Sequence, residues 1–315
     1  MHDAVPYSRI SHLLLCGVSV AIPDFVLMEL FRALAVLAEP PVAEAAHVAD
    51  ALELGQLPDR AEYTEVFVFQ LYPYASVYLG AEGMLGGEAR DRIGGFWRVL
   101  GEMPPAEPDH LAVMLAFYAR LCEMHEDESD EVRRAGWNGA RKAFLWEHLL
   151  SWLPFYLSKL ETVTASPFYR RWGEILSLAL LEEARAVGVQ EQLSLHLRDA
   201  PGLVDPRRGE VGEFLQSLLA PVRSGMILAR SDLSRAARSM GLGLRLGERR
   251  FILEALFGQD AAGVLGWLAE EASHWGERCR CYREELGAVA SVWEGKALTS
   301  AKLLRELELA AKEVA

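Results

Sequence analysis

The sequence predicts an all-α protein, a multi-helix bundle with a further helical region at its C-terminal end, and three observations predict it. Apolar residues recur at three- and four-residue spacing through most of the chain. The one β-like run, Val66-Phe67-Val68-Phe69, is four residues long, and its alternation is not sustained. Proline and glycine cluster between the periodic stretches, where helices should stop.

Taken in order, Phe25, Met28, Leu30, Leu34 and Leu37 mark the first helical face, which Glu39-Pro40-Pro41 should end. Met103-Pro104-Pro105-Ala106-Glu107-Pro108 reads as a rigid connector, and Leu111, Met114, Leu115, Tyr118 and Leu121 as the stripe of the helix after it. Gly136 through Gly139 is expected to open another helix. Phe144, His148 and Trp152 follow at i, i+4 and i+8 on one face, leading into the apolar run Leu153 to Leu160, interrupted by Pro154. Ile175, Leu178, Ala179 and Leu181 mark one more face.

The clearest boundary is Arg198 to Gly209, where two prolines and two glycines interrupt the pattern, giving expected domains of 1–197 and 205–315. About five helices should follow. Ser231 or Asp232 reads as an N-cap, Gly241 and Gly258 as stops, and 261–293 as one long helical stretch.

With 51% hydrophobic and 24% charged residues in 315, the chain can bury a sizeable core. The apolar stretch Ile10 to Ala38 is broken by His12, Pro23, Asp24, Glu29 and Arg32, so it falls short of a bilayer span. No basic segment followed by a small-residue cleavage site is read, and a cytoplasmic address is expected. Cys16, Cys122, Cys279 and Cys281 are too few and scattered for a disulfide framework, and reduced thiols are expected.

Charge is informative when split. Residues 1–197 hold 15 basic and 28 acidic side chains, whereas residues 198–315 hold 17 of each, so the net charge of −13 lies wholly in the first part. An acidic surface disfavours nucleic acid and anionic lipid and suits a cationic partner. The run Glu123 to Glu131 packs six acids into nine residues. It reads as a solvated loop, or as a lure that speeds encounter with a peptide bearing paired arginines, an effect that salt should weaken. Between Arg230 and Arg250 lie six arginines against Asp232 and Glu248. Docking of this segment onto the acidic part, within the chain or across a homodimer, is the expected use.

Three segments carry the chemistry. In Glu107-Pro108-Asp109-His110, Asp109 stands where its carboxylate can cap the following helix, and a carboxylate beside an imidazole also suits an arginine guanidinium. Tyr72-Pro73-Tyr74-Ala75-Ser76-Val77-Tyr78 sets three amphipathic rings around a proline, fit for a packed turn or an apolar peptide groove. Phe144, His148 and Trp152 form a stripe of the kind a core needs. His274, Cys279 and Cys281 match no zinc spacing, so no metal is expected, and no phosphate loop or nucleophile elbow occurs.

These three segments, in this order and over residues 60–190, resemble the TorD/DmsD/NarJ family of chaperones dedicated to molybdenum-containing oxidoreductases. Ala75 stands where the family frequently has a glutamate. The resemblance implies a TorD-like helical bundle without cofactor or catalysis. The implied partner is a molybdopterin oxidoreductase, bound through its N-terminal twin-arginine signal peptide and part of its body before export. Within that reading Asp109 and His110 serve polar recognition and Glu107 adds negative potential. Tyr72, Tyr74, Ser76 and Tyr78 take the apolar part of the peptide, and His148 with Trp152 form the supporting wall. A NarJ-like variant would bind a cytoplasmic nitrate reductase subunit instead. From other classes come an enzyme using Asp109 and His110 as an acid/base pair, and a regulatory or scaffold protein using its arginine-rich C-terminal region.

Overall fold

The computed structural model describes residues 24–190 and 192–314. Among these, every regular element is helical and the only β-type pairing is an isolated bridge between Tyr74 and His110. No helix among them is long and apolar enough to cross a membrane. Cys16 and the start of the apolar stretch from Ile10 lie outside the described residues.

The chain divides into two compact units, one of residues 1–75 with 90–192 and one of residues 76–89 with 193–315. In the first, helix Asp24–Val36 packs on helix Leu111–Asp127, with the Phe31 and Tyr118 rings edge to face at 5.1 Å and Arg32 paired to Glu123 at 2.7 Å. Leu111, Met114, Leu115, Tyr118 and Leu121 are all fully buried, as one helical stripe should be. Helix Pro167–Val187 starts where Ser166 accepts from the Tyr169 N–H at 3.3 Å and Pro167 supplies a pre-set φ, and it stops at Gly188, whose φ is 73°. Its Trp172 donates to the Leu34 carbonyl at 3.1 Å, tying it to the first helix.

One expectation for this unit needs correction, and two π-segments add what the sequence did not show. Val66 to Phe69 belongs to a seven-residue π-helix, Thr64–Gln70. Its wider turn sends Val66 and Phe67 inward and leaves Val68 and Phe69 exposed. A second π-segment, Leu145–Leu149, carries His148. Gly136 and Gly139 lie inside helix Glu131–Phe144 and do not open it; Asp130 does, accepting from the Arg133 N–H at 2.9 Å. The N-cap position of helix Leu111–Asp127 is His110, and the Leu111 N–H donates to the Pro73 carbonyl at 2.7 Å.

The second unit is built on a hairpin of helices Ala261–Arg280 and Ala288–Val314. The single helix expected over 261–293 is broken: the first helix stops at Arg280 and the chain turns at Gly287, whose φ is 51°. Seven helices follow residue 209. Helix Arg230–Met240 is capped from Ala229, not Ser231 or Asp232; Asp232 instead reaches back to the Ala229 N–H at 2.7 Å. Gly241 closes that helix in the left-handed region as expected. The Arg230 to Arg250 segment finds partners within its own unit. Arg235 pairs with Asp232 and Glu271, and Arg250 pairs with Glu254.

Candidate functional site

The bridge between Tyr74 and His110 joins two of the three motifs. The Ala75 N–H donates to the Asp109 carbonyl at 2.9 Å, and the Leu111 N–H donates to that of Pro73. Pro73 cannot donate, so its carbonyl serves as an acceptor at the helix start, and the two segments lie side by side in the first unit.

Around the bridge, the Tyr74 and His110 rings meet edge to face at 4.8 Å, and the Tyr74 hydroxyl donates to Glu107 Oε2 at 3.0 Å. The Glu39 carboxylate lies 3.7 Å from His110 Nδ1, a nitrogen with no hydrogen-bond partner among the described residues. Burial, with the Glu107 carboxylate beside it, holds the Tyr74 hydroxyl well above the usual phenol range. Burial and Glu39 push Tyr63 up to about 12.

Asp109 is 2% exposed and His110 6%. Neither can meet a guanidinium in open solvent, so the accessible part of the cluster is its rim, Glu107, Glu39 and the half-buried Tyr74; Tyr72, two residues before Tyr74, is 37% exposed. Glu39 was missed in the sequence because it precedes Pro40-Pro41 and read as a helix end; its distance from His110 in sequence hides their proximity. Ser76 and Tyr78 are buried, and Ser76 Oγ accepts from the Gly86 N–H at 3.1 Å. Phe144, His148 and Trp152 are buried in the first unit. Phe96 and Phe144 rings lie 5.4 and 5.2 Å from the His148 ring, and Trp152 Nε1 donates to the His148 carbonyl at 2.9 Å. They are core residues and not part of the accessible rim.

Burial is the largest influence on His110 and lowers its proton affinity, against the opposing pull of Glu39, Glu107 and Asp109. An unfolded imidazole protonates near pH 6.5, by about which point the unfolded chain binds the proton and the folded one does not. Stability should therefore fall as pH drops below that value, and His110→Gln should flatten this part of the curve. Urea midpoints of both proteins between pH 7.5 and 5 check it; parallel curves would show that His110 does not titrate differently on folding.

This helical unit brings two of the three motifs together beside an acidic and aromatic rim, and no metal-binding cluster occurs among the described residues. Residues 36–156 match the family described as nitrate reductase delta subunit. The chain is 30% identical over 143 residues to a chaperone protein TorD of Vibrio vulnificus strain CMCP6, covering 42% of this chain and 66% of that relative. It is 32% identical over 127 residues to the TorD of Shewanella pealeana, covering 35% of this chain and 52% of that protein. The chain thus matches just under two thirds of the length of the first relative and about half of the second. Over this stretch the chain is similar to the TorD/DmsD/NarJ family.

Proposed function

We propose that this chain is a cytoplasmic chaperone for a molybdopterin oxidoreductase, holding the client through its N-terminal signal peptide, and part of its body, until maturation is complete. The observation that carries the reading is the convergence of Glu39, Glu107 and Tyr74 about His110, whose Nδ1 has no hydrogen-bond partner among the described residues. Two carboxylates on an accessible rim favour paired guanidiniums, and Tyr72 and Tyr74 supply amphipathic surface for the apolar residues that follow. Asp109 and His110 set the bridge under that rim and bring His110 Nδ1 to it. His148 and Trp152 support the packing behind. Residues 1–197 form the chaperone domain in this reading and residues 205–315 an addition to it. No bond is made or broken.

Calorimetric titration with a synthetic twin-arginine leader peptide tests the proposal. Glu39→Gln with Glu107→Gln, or glutamines in place of the two peptide arginines, should each weaken binding at least about tenfold, since charge-assisted hydrogen bonds contribute roughly 1.5–3 kcal/mol. Affinity should also fall with salt. Indifference to both changes would remove the assigned rim. The description of the matching family as nitrate reductase delta subunit favours a second reading, in which the client is a nitrate reductase subunit. Tight binding of such a subunit's N-terminal peptide lacking paired arginines would select it.

A further inference from the structure

Within the acidic rim one group is fixed and one is free to move. His110 is fixed: its ring is buried and lies edge to face on Tyr74 at 4.8 Å, its N–H donates to the Glu107 carbonyl at 3.2 Å, and its carbonyl accepts from the Met114 N–H at 2.9 Å. Glu39 is the movable member. It lies beyond the end of helix Asp24–Val36, its side chain is half exposed, and among the described residues that side chain makes no hydrogen bond. Glu107 differs, because the Tyr74 hydroxyl holds its carboxylate at 3.0 Å.

Glu39 Oε1 stands 3.7 Å from His110 Nδ1, beyond the reach of a hydrogen bond. That spacing fits two acceptors facing each other, a carboxylate oxygen and the bare nitrogen of a neutral imidazole whose proton sits on Nε2. Nδ1 is buried and has no hydrogen-bond partner among the described residues, so a proton arriving there finds the Glu39 carboxylate beside it.

Burial disfavours the imidazolium, as does the N-terminus of helix Leu111–Asp127, whose N-cap position His110 holds. Glu39, Glu107 and Asp109 pull the other way, and the hydroxyls of Tyr63 and Tyr74 stay neutral. The cation Arg90 reaches the same connector at the Ala106 carbonyl, 2.7 Å away. The ring is therefore neutral at pH 7 and protonates below the ordinary histidine range.

We propose that Glu39 and His110 form a proton-operated latch on the rim. While His110 is neutral the Glu39 carboxylate stands free for a cationic segment of the client, and when Nδ1 takes a proton from solvent the carboxylate closes onto it and the rim loses its grip. Closing needs a shift of about 1 Å, to the roughly 2.7–2.9 Å of a charge-assisted bond. By linkage a bound guanidinium keeps His110 neutral, so leader and proton compete for one carboxylate. The latch rests on the rim being the cationic subsite proposed above, and it adds acid-driven release to that site.

NMR of the full chain with carbon-labelled histidine, using His110→Gln to identify the resonance, tests the pairing without a ligand. Glu39→Gln should move the His110 midpoint to lower pH, because it removes a carboxylate that stabilises the imidazolium; an unmoved midpoint overturns the proposal. Calorimetry with the paired-arginine leader peptide tests the consequence. Between pH 7.5 and 5 the affinity of the parent chain should fall about tenfold, the scale of one charge-assisted hydrogen bond. Free glutamates protonate near pH 4.3, so Glu39→Gln and His110→Gln, each compared with its own affinity at pH 7.5, should lose no more than about threefold. A fall as steep in Glu39→Gln as in the parent would mean that protonated His110 repels the peptide without engaging Glu39, and the latch would be wrong. A peptide that binds at no pH defeats the rim as a leader site, and the NMR midpoint then decides the pairing by itself.

Discussion

Glu183→Ala is expected to lower stability by about 3–5 kcal/mol, the cost of leaving a buried charge unpaired. Arg141 and Glu183 are almost wholly inaccessible and form a two-pronged pair: Arg141 Nε donates to Glu183 Oε1 at 2.6 Å and Nη2 to Oε2 at 2.8 Å. The buried Tyr118 hydroxyl donates to the same carboxylate and accepts from Arg141 Nε at 3.3 Å. Three helices, Leu111–Asp127, Glu131–Phe144 and Pro167–Val187, are thereby joined through one polar cluster. Burial opposes the charge on Arg141, and the Glu183 carboxylate more than offsets it, so its proton affinity rises above the usual guanidinium range. Removing Glu183 strands that cation. Arg141→Met with Glu183→Leu removes both charges and should recover most of the loss, as apolar replacements of buried pairs commonly do. Chemical denaturation of the two variants checks this, and a double variant as unstable as Glu183→Ala would show that the loss does not come from a stranded Arg141 charge.

Gly225→Val should cost about 3 kcal/mol or more, by a different physical route. Gly225 has φ of 74°, in the left-handed region, which costs a residue with a Cβ roughly 1–2 kcal/mol. A Cβ there would also lie 2.2 Å from the Ala297 backbone nitrogen. Two backbones in contact cannot both move aside cheaply, so helix Ala288–Val314 would be displaced from the turn that ends helix Pro221–Ser224. Limited proteolysis should show residues 193–315 cut early in the variant while the first unit persists. Protection equal to that of the parent chain would mean the contact relaxes.

The helical class, and the stripe Leu111, Met114, Leu115, Tyr118 and Leu121, were legible because a fixed local period needs only the residues along one helix. Gly241 as a stop and the family motifs were legible for the same reason: each is a short string. The π-form of Val66 to Phe69 was not legible, because a π-turn leaves inward and outward residues in pairs, which no helical or strand template anticipates. The single helix over 261–293 failed between Arg280 and Gly287, where a turn, not propensity, decides the chain's path.

For the site, sequence supplied Tyr72, Tyr74, Glu107, Asp109 and His110 as candidates, yet gave no measure of their depth. Only packing set Asp109 and His110 beneath the surface, drew Glu39 to within 3.7 Å of His110, and buried Ser76 and Tyr78. The same holds for Tyr118, Arg141 and Glu183, which ordinary helical spacing presents as three unrelated residues. By itself the sequence determined the helical class, the acidic first part, the family motifs and their order, because these are properties of neighbours along the chain. Tertiary structure decided which of those residues touch and which reach solvent, because burial and pairing depend on side chains brought together from helices far apart in sequence.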